Sequence, residues 1–134
     1  MNKFDFLLQH CFQSLIHREH DWVFVFDSEC NLTVFCLWRV IKDGRVEVTS
    51  EDDGHPFGLP APVDACACVT SNLENQIITE VELREGTLDL RIHFENGLIL
   101  EVLSDSCGYE AWNLLHADKQ WIAQGGGNLV EYTG

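Results

Sequence analysis

The chain has 134 residues, of which 22 are Asp or Glu and only 8 are Lys or Arg, so its formal net charge is −14. A domain this acidic repels nucleic acid and anionic lipid, and it attracts cationic protein surfaces. Its hydrophobic content of 46% is too high for a disordered chain, and its apolar runs are too short to cross a bilayer. We therefore expect a single domain over residues 1–134 that binds neither nucleic acid nor membrane and favours a basic protein as partner.

The N-terminal segment, MNKFDFLLQHCFQ, lacks the clean apolar run of a signal peptide because Asp5, Gln9 and His10 interrupt it. A cytoplasmic location is the resulting expectation. In a reducing compartment the six cysteines are expected to stay as thiols, and some lie among core-like residues, such as Cys36 in VFCLW.

Residues 2–18 are predicted to form an amphipathic helix, for which Asn2 and Asp5 are suitable N-caps. The apolar residues of this segment recur at spacings of three and four, which places them on one helix face. These residues are Phe4, Leu7, Leu8, Cys11, Leu15 and Ile16.

From Trp22 onward the apolar period changes to two, which indicates strands. The segments WVFVFD, NLTVFCLWRVI and RVEVTS are rich in β-branched and aromatic residues. The dipeptide Asp43-Gly44 between two of these segments predicts a tight hairpin turn.

Residues 50–64 contain all three prolines and two glycines, and they predict a loop. We expect this loop to pack along the sheet through Phe57, Leu59 and Val63. The next segment, DACACV followed by SNLENQ, is compatible both with a short strand and with a turn of helix.

Strand patterns resume in IITEVELRE, TLDLRIHFE and LILEVLS. The dipeptide Asn96-Gly97 predicts a second hairpin turn, of type I′. Residues 109–132 predict one more hairpin, a Gly-rich turn and a short edge strand.

Two segments share one pattern of long strand, tight turn and second strand, NLTVFCLWRVIKDGRVEV and TLDLRIHFENGLILEV. We therefore predict an α+β, mostly antiparallel β fold. In it, one N-terminal helix packs on a curled sheet built from two similar β-meanders plus a C-terminal hairpin, with about seven or eight strands.

Histidines and cysteines are the first candidates for chemistry, but the chain contains no HExxH or CxxC signature. One group lies near the predicted helix and is more typical of an exposed polar surface: His10, Cys11, His17 and His20. The other group is the C-x-C pair Cys66 and Cys68, which is more typical of small core residues. We predict no metal and no cofactor.

The glycines Gly125, Gly126 and Gly127 lack the long helix and the Lys that follow a phosphate-binding loop, and they predict a tight turn or bulge. No Ser or Cys lies in a nucleophile signature such as GxSxG. We therefore predict that the chain is not an enzyme.

Acidic side chains in loops are the predicted partner-binding residues, because loops beside a rigid sheet commonly carry recognition. These residues are Glu51, Asp52, Asp53, Asp27, Glu29 and Asp64. Most of the four tryptophans and two tyrosines are expected in the core. One or two at an acidic edge would suit an Arg- or Lys-rich partner.

Short motifs spread over most of the chain have a recognisable pattern. The principal ones are GYEAWNL at residues 108–114 and IAQGGG at residues 122–127, followed by an apolar pair. Shorter pieces that fit are Trp38-Arg39-Val40, Asp52-Asp53-Gly54, Phe57-Gly58-Leu59, Asp89-Leu90 and Phe94-Glu95-Asn96-Gly97. Together they resemble a family of small acidic bacterial proteins found among immunity proteins of polymorphic and contact-dependent toxin systems.

The resemblance implies an immunity protein that binds one cognate toxin domain inside the cell and neutralises it without catalysis. A nuclease toxin would present a basic groove, which an acidic inhibitor can plug or cover. Two other classes stay open on the sequence: an acidic interaction or scaffold domain that associates through a sheet edge, and a small-molecule or metal-binding domain.

Overall fold

The computed structural model describes residues 3–133, which form two antiparallel sheets, one α-helix and two short 3₁₀ turns. The strands are β1 (Ser14–His17), β2 (Trp22–Asp27), β3 (Cys30–Val34), β4 (Leu37–Lys42), β5 (Arg45–Thr49), β6 (Ile78–Leu83), β7 (Leu90–Phe94), β8 (Ile99–Leu103), β9 (Trp112–His116), β10 (Lys119–Gln124) and β11 (Asn128–Thr133). The helix α1 is Ala65–Leu73, and the 3₁₀ turns are Asp5–Leu7 and Ser50–Asp52. The prediction of a mostly antiparallel β fold with one helix is confirmed, but the described residues contain eleven strands rather than the seven or eight predicted.

The larger sheet has the order β1-β2-β3-β9-β10-β11, and the smaller has the order β5-β4-β8-β7-β6. The chain crosses between the sheets at residues 35–36 and again at residues 104–111. Both sheets contribute to one buried cluster, in which Trp38 of β4 lies edge-on to Trp22 and Phe24 of β2. The architecture is therefore a two-sheet sandwich around one core.

The two segments predicted as similar meanders contain the hairpins β4–β5 and β7–β8, which are adjacent in the smaller sheet through β4 and β8. The first segment is divided, because β3 belongs to the larger sheet and β4 to the smaller one.

Each end of the sandwich has its own set of loops. We call one the crossover end, which contains the turn 18–21 and the two links 35–36 and 104–111. We call the other the hairpin end, which contains the turns at residues 28–29, 43–44, 95–97 and 117–118. Strand β2 begins at the crossover end with Trp22 and ends at the hairpin end with Asp27, so these residues lie about 17 Å apart.

The predicted N-terminal helix over residues 2–18 is wrong. Within the described part of this segment, residues 3–18, only Asp5–Leu7 is helical, and β1 follows. Phe12, outside the proposed apolar stripe, is fully buried, whereas Ile16 within it is 49% exposed. The backbone of this segment pairs with residues 75–78 instead, and Ile78 N donates to His10 O at 2.8 Å. The proposed cap Asn2 lies outside the described residues.

Helix α1 forms in the segment whose sequence fitted either a strand or a helix. Asp64 caps it by accepting a hydrogen bond from Ala67 N at 3.0 Å. The helix buries Ala65, Val69 and Leu73, and it contacts β1 and β5, so it covers the side of the sandwich where these strands lie. Among the described residues, no helix has the length and apolar character needed to cross a membrane.

The two predicted hairpin turns differ in type. Asp43 and Gly44 both have positive φ, as a type I′ turn requires. At the second turn only Gly97 has a positive φ, and Phe94 N donates a hydrogen bond to Leu98 O. The turn is therefore a three-residue loop with a bulge, and the type I′ prediction is wrong. The Asn96 side chain instead donates to Asn72 O at 3.0 Å, which ties the turn to the end of α1.

The predicted Gly-rich turn joins β10 and β11 at the crossover end. A Cβ on Gly127 would lie 2.4 Å from Gly86 O, and a Cβ on Gly125 would lie 2.5 Å from the Gly108 backbone. Close approach of three backbone segments therefore explains the glycines, as a tight turn predicts.

Candidate functional site

The most distinctive surface is a cleft of about 420 Å³ at the crossover end, which we call the acidic cleft. Its lining includes five carboxylates and three imidazoles and, among the described residues, neither Lys nor Arg. These residues are Glu19, Asp21, Glu51, Asp53 and Asp105, and His17, His20 and His55. Most of them come from loops that the two sheets bring together.

Aromatic rings form part of the cleft wall. The ring of His17 stacks on Trp22, with centroids 3.5 Å apart and planes 4° apart. Trp22 is only 7% exposed and lies edge-on to the buried Trp38, so the wall is anchored in the core. Phe35, at the first crossing between the sheets, lines the same cleft and is 41% exposed.

Some of the acidic loop residues hold the fold together. Asp53 Oδ1 accepts a hydrogen bond from Ala65 N at 2.9 Å, and Asp53 Oδ2 lies 3.4 Å from His17 Nδ1. Asp52 accepts from Thr49 N at 3.0 Å and closes a capping box. These two carboxylates therefore position the loop that forms one wall of the cleft.

Other carboxylates of the cleft point to solvent without a structural partner. Glu51 and Asp105 are exposed, and within the described residues no hydrogen bond or ion pair engages either carboxylate. The Glu19 side chain is 87% exposed and lies 3.6 Å from the equally open His20. Desolvating these groups against a cationic partner would break no bond that holds the fold.

One cation lies beside the cleft but is already paired. Arg18 Nε and one terminal nitrogen donate to the two oxygens of Asp21 at 2.6 and 2.8 Å. This bidentate contact raises the pKa of the exposed Arg18, with the hydrogen bond to Asp21 as the largest cause. Among the described residues, no Lys or Arg forms an ion pair with any of the other four carboxylates.

A second cleft of about 350 Å³ continues the surface and shares Phe35 and Asp105 with the first. It adds Tyr109, which is 84% exposed, and Glu110. Partial burial raises the pKa of the Glu110 carboxyl. Exposed aromatic rings beside carboxylates are the composition expected at a contact with Arg or Lys side chains.

The Pro-rich loop also differs from its prediction. Residues 50–64 do form a loop, but Phe57 is 63% exposed and Leu59 is 54% exposed. Only Val63 is partly buried, and its backbone bonds Gly54 and His55 within the loop. The loop therefore closes on itself, with Phe57 stacked on His55 beside the cleft.

The six predicted partner-binding residues do not form one surface. Glu51 and Asp53 line the acidic cleft, with Asp52 and the helix cap Asp64 adjacent. Asp27 and Glu29 lie at the hairpin end, where Asp27 accepts from Glu29 N at 2.7 Å and lies 3.0 Å from His10 Nδ1. The residues that sequence reasoning missed are Glu19, Asp21 and Asp105. The first two had a signal, the charged HREHD turn between two strands.

The histidines and cysteines singled out in the sequence do not converge. His17 and His20 line the cleft, whereas His10 lies at the hairpin end beside Asp27. The six cysteines are free thiols. Cys36 touches the cleft, but burial raises the pKa of its thiol to about 12, so it stays protonated at neutral pH and is a poor nucleophile.

Comparison with models of protein families, with curated proteins and with solved structures finds no match to this chain.

Proposed function

We propose that this protein is a non-catalytic inhibitor that binds a basic protein domain through the acidic cleft. The single observation that carries the proposal is the convergence of five carboxylates beside exposed aromatic rings, with no Lys or Arg in the lining among the described residues. The motif resemblance to immunity proteins favours a bacterial toxin domain as the partner, and the acidic charge favours a nuclease, because a nuclease presents a basic groove. The cytoplasm of the toxin-producing cell is then where the pair would meet.

Charge and aromatic contacts would have separate roles in such a complex. A nuclease holds phosphates with Lys and Arg, so its groove attracts a carboxylate-rich surface and the encounter is fast. Burial of Phe35 and Tyr109 against the partner would slow dissociation, because aromatic anchors dominate binding energy. The acidic cleft could either plug the groove or cover its entrance.

The side chains around the cleft support binding better than chemistry. Asp53 is engaged by Ala65 and His17, Asp21 is engaged by Arg18, and the thiol of Cys36 is protonated. A nucleophile paired with an oriented base would be needed for covalent catalysis.

The test is a charge-reversal triple at the exposed carboxylates, Glu19→Lys, Glu51→Lys and Asp105→Lys. None of these three carboxylates caps a helix or turn, so the variant should fold. The partner to use is a basic toxin domain encoded by a neighbouring gene. We expect the affinity of the variant for this domain to fall about 100-fold, mostly through slower association, and protection of a co-expressing cell to be lost. Affinity is measured by surface plasmon resonance and folding by thermal melting.

A matched control makes the same charge change at the hairpin end, with Glu29→Lys, Glu95→Lys and Asp118→Lys. All three residues are exposed in turns remote from the cleft. We expect less than about a tenfold loss of affinity, from the weaker overall field alone. The proposal fails if the cleft variant still protects, or if the two variants lose affinity equally. Partner binding without protection would favour the scaffold alternative.

A further inference from the structure

A second group of ligating side chains lies on the outer face of the smaller sheet, unrelated to the acidic cleft. Glu80 and Glu82 alternate with the buried Val81 along β6, so both carboxylates face outward. His93 of β7 is the register partner of Glu80. The carboxylate oxygens and an imidazole nitrogen of these three residues lie within 4.8 Å of one another, the one such grouping of His, Cys, Asp and Glu in residues 3–133.

The imidazole is already oriented toward the carboxylates. His93 Nε2 lies 2.6 Å from Glu82 Oε2, and the His93 side chain is only 24% exposed, so neighbouring residues restrict the ring. Adjacent strands of one sheet fix the spacing between the three Cα positions. Metal binding would break the His93–Glu82 hydrogen bond and needs Nε2 without its hydrogen. Side-chain rotations would then bring two oxygens and one nitrogen to about 2.0–2.2 Å from a common ion.

The neighbouring cation does not prevent this. Arg91 lies 3.3 Å from Glu82 Oε2, but its Nε also donates to Glu101 at 3.1 Å. Glu101 in turn holds Arg39 at 2.7 Å. If Glu82 turns to an ion, Arg91 keeps Glu101 as its partner.

The surroundings leave room for water to complete the coordination. Strand β6 is an edge of the sheet, Glu80 is exposed, and the Glu82 side chain is 44% exposed. An imidazole nitrogen favours Zn²⁺ and similar transition metals over Mg²⁺ and Ca²⁺, which prefer all-oxygen sites.

We propose that Glu80, Glu82 and His93 bind one divalent transition-metal ion, Zn²⁺ in the first instance. The bound ion bridges β6 and β7 and so stabilises the edge of the smaller sheet. This proposal departs from the expectation of no metal, because the ligands come from two strands whose pairing the sequence does not show. The proposal is independent of the toxin-binding function, since β6 is at the opposite edge of its sheet from β5, which leads into the cleft loop.

The test is titration of the full chain with Zn²⁺, with the cysteines kept reduced. We expect saturable binding of one ion per chain and a rise in the melting temperature, because the ion binds the folded state. His93→Gln should weaken binding by about tenfold or more and abolish the rise in melting temperature, and Glu80→Gln should act in the same direction. The control His20→Gln removes an exposed histidine of the cleft and should leave both readouts unchanged.

Substitution of Co²⁺ for Zn²⁺ distinguishes this site from a cysteine site. Oxygen and nitrogen ligands give only weak visible bands, whereas thiolate ligands add intense near-ultraviolet charge-transfer bands. Weak bands alone support the proposal. Thiolate bands, equal affinity in His93→Gln and the unaltered protein, or the absence of saturable binding would each overturn it.

Discussion

A carboxylate next to other carboxylates can still be a structural group, and Asp53 shows how. It joins the backbone of α1 at Ala65 to the imidazole of His17, so it connects the helix, β1 and the loop. Asp52 and Asp64 are caps in the same region. Their negative charge contributes to the field of the cleft, but their oxygens are committed to the fold.

This distinction predicts different costs for neighbouring alanine substitutions. Asp53→Ala and Asp64→Ala should each lower the free energy of unfolding by about 1 kcal/mol, because each leaves a backbone N–H of α1 without its acceptor. Glu51→Ala should change it by less than about 0.5 kcal/mol, because its carboxylate has no partner. Urea unfolding measures all three. Equal losses at Glu51 and Asp53 would contradict the structural role of Asp53.

At the residue scale, the sequence predicts that residues 51–53 are exposed and acidic, but not which of them are caps. That depends on the turn that brings Asp52 to Thr49 and on the helix that brings Ala65 to Asp53. Asp105 could not be assigned to the cleft either, because its place depends on the second crossing between the sheets.

At the scale of elements, most strands were predictable, but β1 and the helix α1 were not. The segment WVFVFD corresponds to β2 without a shift, because alternation and β-branched residues agree there. The N-terminal spacing of Leu7 and Leu15 imitates a helix, although these side chains reach the core from a 3₁₀ turn and a strand. The true helix α1 consists largely of Ala, Cys, Ser and Thr, which have little periodic apolar signal, and its clearest mark is the cap Asp64.

The tight turns give a prediction that separates backbone strain from steric clash. Gly97 and Gly127 have nearly equal φ, +89° and +91°, but only the Cβ of an alanine at 127 would meet other atoms. Gly97→Ala should cost about 1–2 kcal/mol through φ alone. Gly127→Ala should cost about 1–3 kcal/mol more, because the Gly86 carbonyl cannot move aside easily.

Urea midpoints of the two glycine variants, with a shared slope, measure this difference. We expect Gly127→Ala to be less stable than Gly97→Ala. Equal stability would mean that the turn between β10 and β11 can move away from Gly86.

At the scale of the whole molecule, the chain has 22 acidic and only 8 basic side chains. This imbalance opposes folding and favours binding to a basic partner. Within the folded protein it produces repulsion, concentrated where the cleft carboxylates converge. Toward a basic partner the same charges produce attraction. We therefore expect the acidic surface to lower the stability of the isolated domain.

Salt should reveal both effects. Raising NaCl from about 0.05 M to about 0.5 M shortens the screening length to a few ångströms and should raise the melting temperature of the isolated protein. If the proposed function is right, the same change should weaken the complex with a basic protein domain, mainly by slowing association. A melting temperature that falls with added NaCl would show that attractive ion pairs, such as Arg39 with Glu101, outweigh the repulsion.

The pairing of β3 with β9 places Leu32 opposite Leu114, at the centre of the larger sheet. Bringing residues so far apart in sequence together costs loop-closure entropy before their contact stabilises the fold, so we expect this pairing to form late. During synthesis β1, β2 and β3 leave the ribosome before β9, so we expect the edge of β3 that pairs with β9 to lack its partner in that interval. We infer that refolding is slow for a domain of this size, and that nascent chains are most prone to aggregate in that interval.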